Sequence, residues 1–225
     1  MEKYAVIVAG GSGLRMGTSV PKQFLVIRGK PVLWYTLTAF LQAFDDINII
    51  LVLPADHIET GRSIIRSTSH PDRIWMTVGG DTRFESVQNG LSHISKHSII
   101  FIHDGVRCLA TPELIRRCYA EAIDKGNAIP AVSAVDTIRL MTLNGSEQID
   151  RNRVRIIQTP QTFFSDLIKA AFAQDYNESF TDEASVVERL GVKINVIEGE
   201  DTNIKITKPM DLLVAEKVLE ERGFE

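Results

Sequence analysis

Tyr4-Ala5-Val6-Ile7-Val8-Ala9-Gly10-Gly11-Ser12-Gly13-Leu14-Arg15-Met16-Gly17 is the stretch whose reading decides the fold. Tyr4 to Val8 is an unbroken apolar run, the pattern of a strand buried on both faces. Behind it Gly10, Gly11 and Gly13 let the backbone turn sharply with its N–H groups pointing outward. Gly10, Gly11 and Gly13 therefore offer main-chain donors, with Ala9 beside them as a nucleotide-binding position, and Arg15 and Lys22 supply charge, a combination that suits a polyphosphate. Two familiar phosphate loops are excluded. The dinucleotide fingerprint would start at Gly11 and need glycine where Met16 stands, and the Walker loop needs a lysine directly after Gly17.

Outward from this turn, apolar runs alternate with helical patterns. Strands are predicted at 4–8, 47–53, 74–78, 99–103 and 128–134, and helices at 32–43, 58–67, 84–94 and 112–125. This alternation predicts a Rossmann-like α/β/α sandwich of three layers, with a mainly parallel sheet covered on both faces. Ligands of such sheets gather at the carboxyl ends of strands. Past Val135 the rhythm breaks. Residues 136–155 carry short apolar pieces around Asn144-Gly145, a hairpin cue, and are read as a projecting β-arm within a single domain spanning 1–225. Thr159-Pro160-Gln161 returns the chain to the body, and a helix follows over 165–174. Ser179 and Asp182 have capping-box spacing for a helix through Leu190. A strand at 193–196, an extended piece at 203–207 and a helix from Pro209 through Glu221 complete the reading.

Composition narrows the function classes. A chain of 225 residues can bury a large core without staples. A net charge of −4 implies no broad basic face for nucleic acid. No apolar run reaches membrane length and no signal peptide precedes the first strand, so a cytoplasmic protein is expected. Cys108 and Cys118 fit neither a disulfide framework nor a zinc spacing. His93 and His97 lie four apart on a helical pattern but lack a third ligand, and His103 faces away from Asp104 by strand alternation.

Further motifs follow in order. They are Gly79-Gly80-Asp81-Thr82-Arg83, Ser86-Val87 with Gly90-Leu91, His103-Asp104-Gly105-Val106-Arg107, Asp136-Thr137, Asp150-Arg151-Asn152, Thr159-Pro160-Gln161, Thr181-Asp182-Glu183-Ala184 and Asn203-Ile204-Lys205. With the opening loop and Pro21-Lys22-Gln23, they closely resemble the 2-C-methyl-D-erythritol 4-phosphate cytidylyltransferase family of isoprenoid biosynthesis. The likeness runs from the first loop to Lys205. One departure is Cys108, where the family pattern suggests proline after the arginine.

The resemblance implies transfer of CMP from CTP to methylerythritol phosphate, with pyrophosphate released. Arg15 and Lys22 would contact the triphosphate and stabilise the pentavalent transition state. Gly80, Asp81 and Ser86 would line the base pocket, and Asp104 would lie beside the ribose with Arg107 nearby. Thr137 and Arg151 would reach across a homodimer to the partner's sugar phosphate, which Thr159, Thr181 and Lys205 would face from the body. Magnesium is expected on the triphosphate, with few direct protein ligands.

The residues themselves leave plainer roles open: a solvated Lys22, a helix-face Ser86, an Asp104 paired with Arg107, a turn-forming Thr159 and a helix-capping Thr181. Asp104 could also accept from a ribose hydroxyl or hold magnesium through water. Rival readings are a ribitol-5-phosphate cytidylyltransferase, a catalytically silent nucleotide-binding regulator and a structural dimerisation module. No Ser-His or Cys-His pair is needed for the transfer, because a phosphate monoester is already a nucleophile near neutral pH.

Overall fold

The structure, a computed structural model, describes residues 1–11 and 20–224. Strands β1 (Glu2–Val8), β4 (Ile47–Leu53), β5 (Ile74–Val78) and β6 (Ser98–Asp104) form one parallel half of the central sheet. Strands β7 (Asn127–Ser133), β10 (Arg155–Ile157), β11 (Gln161–Phe164) and β12 (Val196–Glu198) form the other half. The path runs β10-β7-β11-β6-β1-β4-β5, with β12 also on β7. β11 is antiparallel to both β6 and β7 and joins the two halves.

Strand alternation sorts the core onto two faces. Ala5, Ile7, Ile49, Leu51 and Phe101 pack with α1 (Val32–Ala43), α2 (Ile58–Arg66) and α4 (Pro112–Lys125). Val6, Ile50, Val52, Ile100 and Ile102 pack with α3 (Arg83–Ser92), α5 (Ser165–Phe172) and α6 (Glu183–Glu188). Helix α7 (Pro209–Glu221) covers a third cluster with the small hairpin of β2 (Val26–Ile27) and β3 (Lys30–Pro31). α4 begins as its sequence directs: Thr111 accepts from the Leu114 amide and Pro112 occupies the first turn.

Three expectations need correction. Periodicity predicts no strand where Thr159-Pro160-Gln161 returns the chain to the body, yet β11 is a central strand there. The capping box on α6 is Asp182 with Ser185, because Asp182 accepts from the Ser185 amide; Ser179 instead hydrogen-bonds Asn177. The strand expected at 193–196 lies at Val196–Glu198. The extended piece at 203–207 is tied to the body by the Ile206 amide, which donates to the Val106 carbonyl. The arm is a two-stranded sheet of its own, β8 (Ile138–Thr142) against β9 (Gly145–Ile149), mostly exposed.

Candidate active site

A cavity of about 550 Å³ opens where β1, β4, β5 and β6 end. Val8, Pro54, Val78 and Asp104 mark those four carboxyl ends on its wall. The ends of β1 and β6 are drawn together at Gly105, whose amide donates to the Val8 carbonyl at 2.8 Å. A Cβ there would sit 2.8 Å from that of Ala9, so no larger residue allows this approach.

Ala9, Gly10 and Gly11 line the cavity on the β1 side. The Ala9 amide donates to the Val52 carbonyl, and its own carbonyl accepts from Gln23 Nε2 at 2.8 Å. Gln23 is fully buried, and among the described residues its Oε1 has no hydrogen-bond partner. Lys22 opens a short 3₁₀ turn, Lys22–Phe24, and lines the same cavity. It is only 8% exposed, unlike the solvated surface lysine that composition alone allowed. Gly13 and Arg15 lie outside the described residues.

The opposite wall is the turn from β5 into α3. Thr82 caps α3 by accepting from the Glu85 amide, and Glu85 returns the contact through Oε2 to the amides of Asp81 and Thr82. A Cβ on Gly80 would lie 2.3 Å from that of Glu85, so the capped turn admits glycine alone. The Gly80 amide donates to Ser86 Oγ at 3.2 Å, and Ser86 is buried against the cavity. Gly80, Asp81 and Ser86 therefore stand together on one wall.

Asp104 sits in a cage of cations. Lys205 Nζ is 2.8 Å from Oδ2, Arg83 Nη2 is 3.2 Å from Oδ1, and Arg107 Nε is 3.7 Å from Oδ2. Burial alone would raise this carboxyl, but Arg83, Lys205 and Arg107 outweigh it and hold Asp104 well below the usual carboxylate range. Arg83 also pairs with Glu183, a fully buried side chain at the start of α6. Burial would weaken the proton on Arg83, yet Glu183 and Asp104 hold it above the ordinary arginine value. Arg83 and Glu183 each stand in one of the ordered motifs, and the sequence alone assigns neither a role. The signal available was a charged residue in each of two ordered motifs, and nothing in their spacing says that they meet.

The remaining expected residues occupy three other settings. Arg107 donates to the carbonyls of Asn203 and Ile157, which ties it into the body beside Asp104. Thr159 is buried behind the cavity, where its Oγ1 accepts from the Asp104 amide and bonds His103 Nδ1 at 2.9 Å. His103 Nε2 faces the Arg107 carbonyl, so that nitrogen carries the proton and Nδ1 accepts from Thr159. Burial lowers the His103 pKa to about 4 and keeps the ring neutral. Thr137 and Arg151 stand exposed on the arm, with Arg151 Nη1 donating to the Val135 carbonyl. Thr181 is exposed just before α6. Among the described residues, Lys22, Lys205, Asp104, Gly80, Asp81 and Ser86 share one hollow.

A glycine turn, two lysines and a caged carboxylate at the carboxyl ends of parallel strands suit an enzyme that transfers a nucleotidyl group between phosphates. Comparison with known proteins makes the assignment specific. The family model for 2-C-methyl-D-erythritol 4-phosphate cytidylyltransferase matches residues 4–221. The 2-C-methyl-D-erythritol 4-phosphate cytidylyltransferase of Bacteroides fragilis is 46% identical over 97% of this chain and 100% of its own. The crystal structure of 4-diphosphocytidyl-2C-methyl-D-erythritol synthase from Anaerococcus prevotii superposes with a TM-score of 0.84 at 29% identity, covering 97% of this chain and 96% of that one. That of 2-C-methyl-D-erythritol 4-phosphate cytidylyltransferase from Thermus thermophilus gives 0.77 at 29% identity, covering 98% and 100%. The chain is a nucleotidyltransferase. It belongs to the 2-C-methyl-D-erythritol 4-phosphate cytidylyltransferase family.

Proposed function

We infer that this cavity carries out the reaction of its family, transfer of CMP from CTP to the phosphate of 2-C-methyl-D-erythritol 4-phosphate. The observation that carries the reading is the convergence of the Ala9–Gly11 main chain, Lys22, Asp104 and Lys205 on one hollow. An oxygen of the acceptor's phosphate attacks the α-phosphorus of CTP. The new P–O bond forms as the bond to the β-phosphate oxygen breaks, and its electron pair leaves on pyrophosphate. No group need remove a proton, since the acceptor is mostly dianionic near neutral pH. The protein positions both anions and offsets the charge that builds in the transition state. Lys22 and Arg15 are assigned to the triphosphate, Gly80, Asp81 and Ser86 to the base, and Asp104 to the ribose side. Lys205 and Arg107 are assigned to the acceptor phosphate, with Thr181 at its outer edge.

In this reading magnesium would arrive with the triphosphate and would supply positive charge to offset it. The donor set supports that arrangement. Asp104 already engages Lys205 and Arg83 through both oxygens, and no three His, Cys, Asp or Glu side chains cluster for a metal among the described residues. Asp104 is the residue that would touch the ion, through water. A homodimer in which Thr137 and Arg151 complete the partner's acceptor site is part of the same proposal. The arm supports it with Met141 and Leu143, which are 76% and 104% exposed. A cytoplasmic setting fits two buried unpaired cysteines, and no helix among the described residues is long and apolar enough to cross a membrane.

Pyrophosphate release measured with CTP and a panel of polyol phosphates, methylerythritol and ribitol phosphates among them, tests the assignment. The expected result is turnover with methylerythritol phosphate. A folded protein that releases none with that acceptor overturns it.

A further inference from the structure

Asp104 faces three cations, and they are not equivalent. Lys205 is 42% exposed at its side chain and holds Oδ2 with a single ammonium on a flexible stem. Arg83 holds Oδ1 through Nε at 3.4 Å and Nη2 at 3.2 Å, and its other edge is clamped by Glu183, with Nη2 at 3.2 Å from Oε2 and Nη1 on Oε1. Four of its contacts therefore go to carboxylate oxygens, so it is poorly placed to turn toward an incoming phosphate. Glu183 is itself pinned. The next amide, Ala184, donates to Gln161 Oε1 at 2.7 Å, and the preceding Asp182 accepts from Gln161 Nε2 at 2.8 Å. Gln161 is the first residue of β11, which pairs with β6, the strand that ends in Asp104. The chain from Gln161 through the Asp182–Ala184 segment, Glu183 and Arg83 to Asp104 thus closes a loop between two neighbouring strands.

We propose that Glu183 is a positioning residue for the transfer, fixing Arg83 as the permanent partner of Asp104 so that Lys205 can leave Asp104 for the acceptor's phosphate. The proposal rests on the reaction assigned above. Without the tether, the Arg83 fork loses its orientation and Asp104 competes with the acceptor for Lys205. The cost then falls on acceptor binding, while the triphosphate contacts near Lys22 are spared.

The test is steady-state kinetics on Glu183→Gln, Arg83→Lys and the double variant. Losing one charge-assisted contact, each single variant is expected to raise KM for methylerythritol phosphate about tenfold and leave KM for CTP within about twofold. The double variant should be little worse than either single one, because the two side chains act as one unit. Glu183→Asp should restore part of the loss. A purely structural role would lower the active fraction, and so kcat, without moving KM for the acceptor. That pattern, or effects that multiply in the double variant, overturns the proposal. If Glu183→Gln fails to fold, Arg83→Lys decides alone by the same KM ratio. The tether has a readout apart from turnover: the Arg83 Nε–H should exchange slowly in wild type and quickly in Glu183→Gln, and equal rates overturn the proposal. Absence of wild-type turnover with every acceptor would instead strike the assigned reaction.

Discussion

Lys22 is where burial and charge meet most sharply. It is 8% exposed, beside Gly11 and within the cavity, so its ammonium acts where water screens it little. Lys22→Ala is expected to lower kcat on the order of 10²–10³-fold while the melting temperature moves little. An unchanged kcat would remove its charge role. His103 gives a pH signature. Its folded pKa of about 4 lies below that of an exposed histidine, so the unfolded chain binds the proton more readily. The resulting stability is complete above about pH 6.5 and is lost as the pH falls toward 4, a cost of about 2 kcal/mol at pH 5. The imidazole NMR signals of His103 should stay flat from pH 7.5 to about 5, and a midpoint near 6.5 would contradict its buried contacts to Thr159 and Arg107.

At the level of elements, the turn before α3 holds the wall opposite Lys22. Thr82→Ala removes its cap and is expected to cost about 1 kcal/mol, a drop of roughly 2–4 °C in melting temperature, and to weaken CTP binding in calorimetry. Unaltered CTP affinity would show that the capped turn does not shape the nucleotide site. Elements of this kind were legible in sequence where one periodicity ran long enough: β4, β5, α1, α4 and α7 keep the bounds read from it. β11 was not, because four residues directly behind a proline give too short a pattern to separate a central strand from a loop. The α6 cap was misplaced because Ser179 and Asp182 repeat the right spacing three residues early, and only the observed Asp182–Ser185 contact decides between them. The candidate site was legible as a set of motifs, since its glycines and cations recur in order. The Arg83–Glu183 pair, a hundred residues apart in the chain, was not, for charge alone names no partner.

For the molecule as a whole, the sharpest expectation concerns shared sites. Arg151→Ala should weaken methylerythritol phosphate binding and spare CTP. If each arm serves the neighbouring subunit, mixing Arg151→Ala with Lys22→Ala chains should recover roughly a quarter of wild-type activity, since half of randomly paired dimers regain one intact site. Mixtures that stay as inactive as their parents would place the whole site within one subunit. The antiparallel strand between the sheet's two halves has a separate consequence for a growing polypeptide. Residues 2–104 hold every strand of the parallel half, yet the outer backbone edge of β6 has no neighbour until residues 161–164 leave the ribosome. During that interval the nascent chain carries an open hydrogen-bonding edge, the feature that invites wrong pairing between polypeptides. The same late segment that seals this edge also delivers Thr159 to the Asp104 amide, so the catalytic hollow matures only when the sheet is sealed.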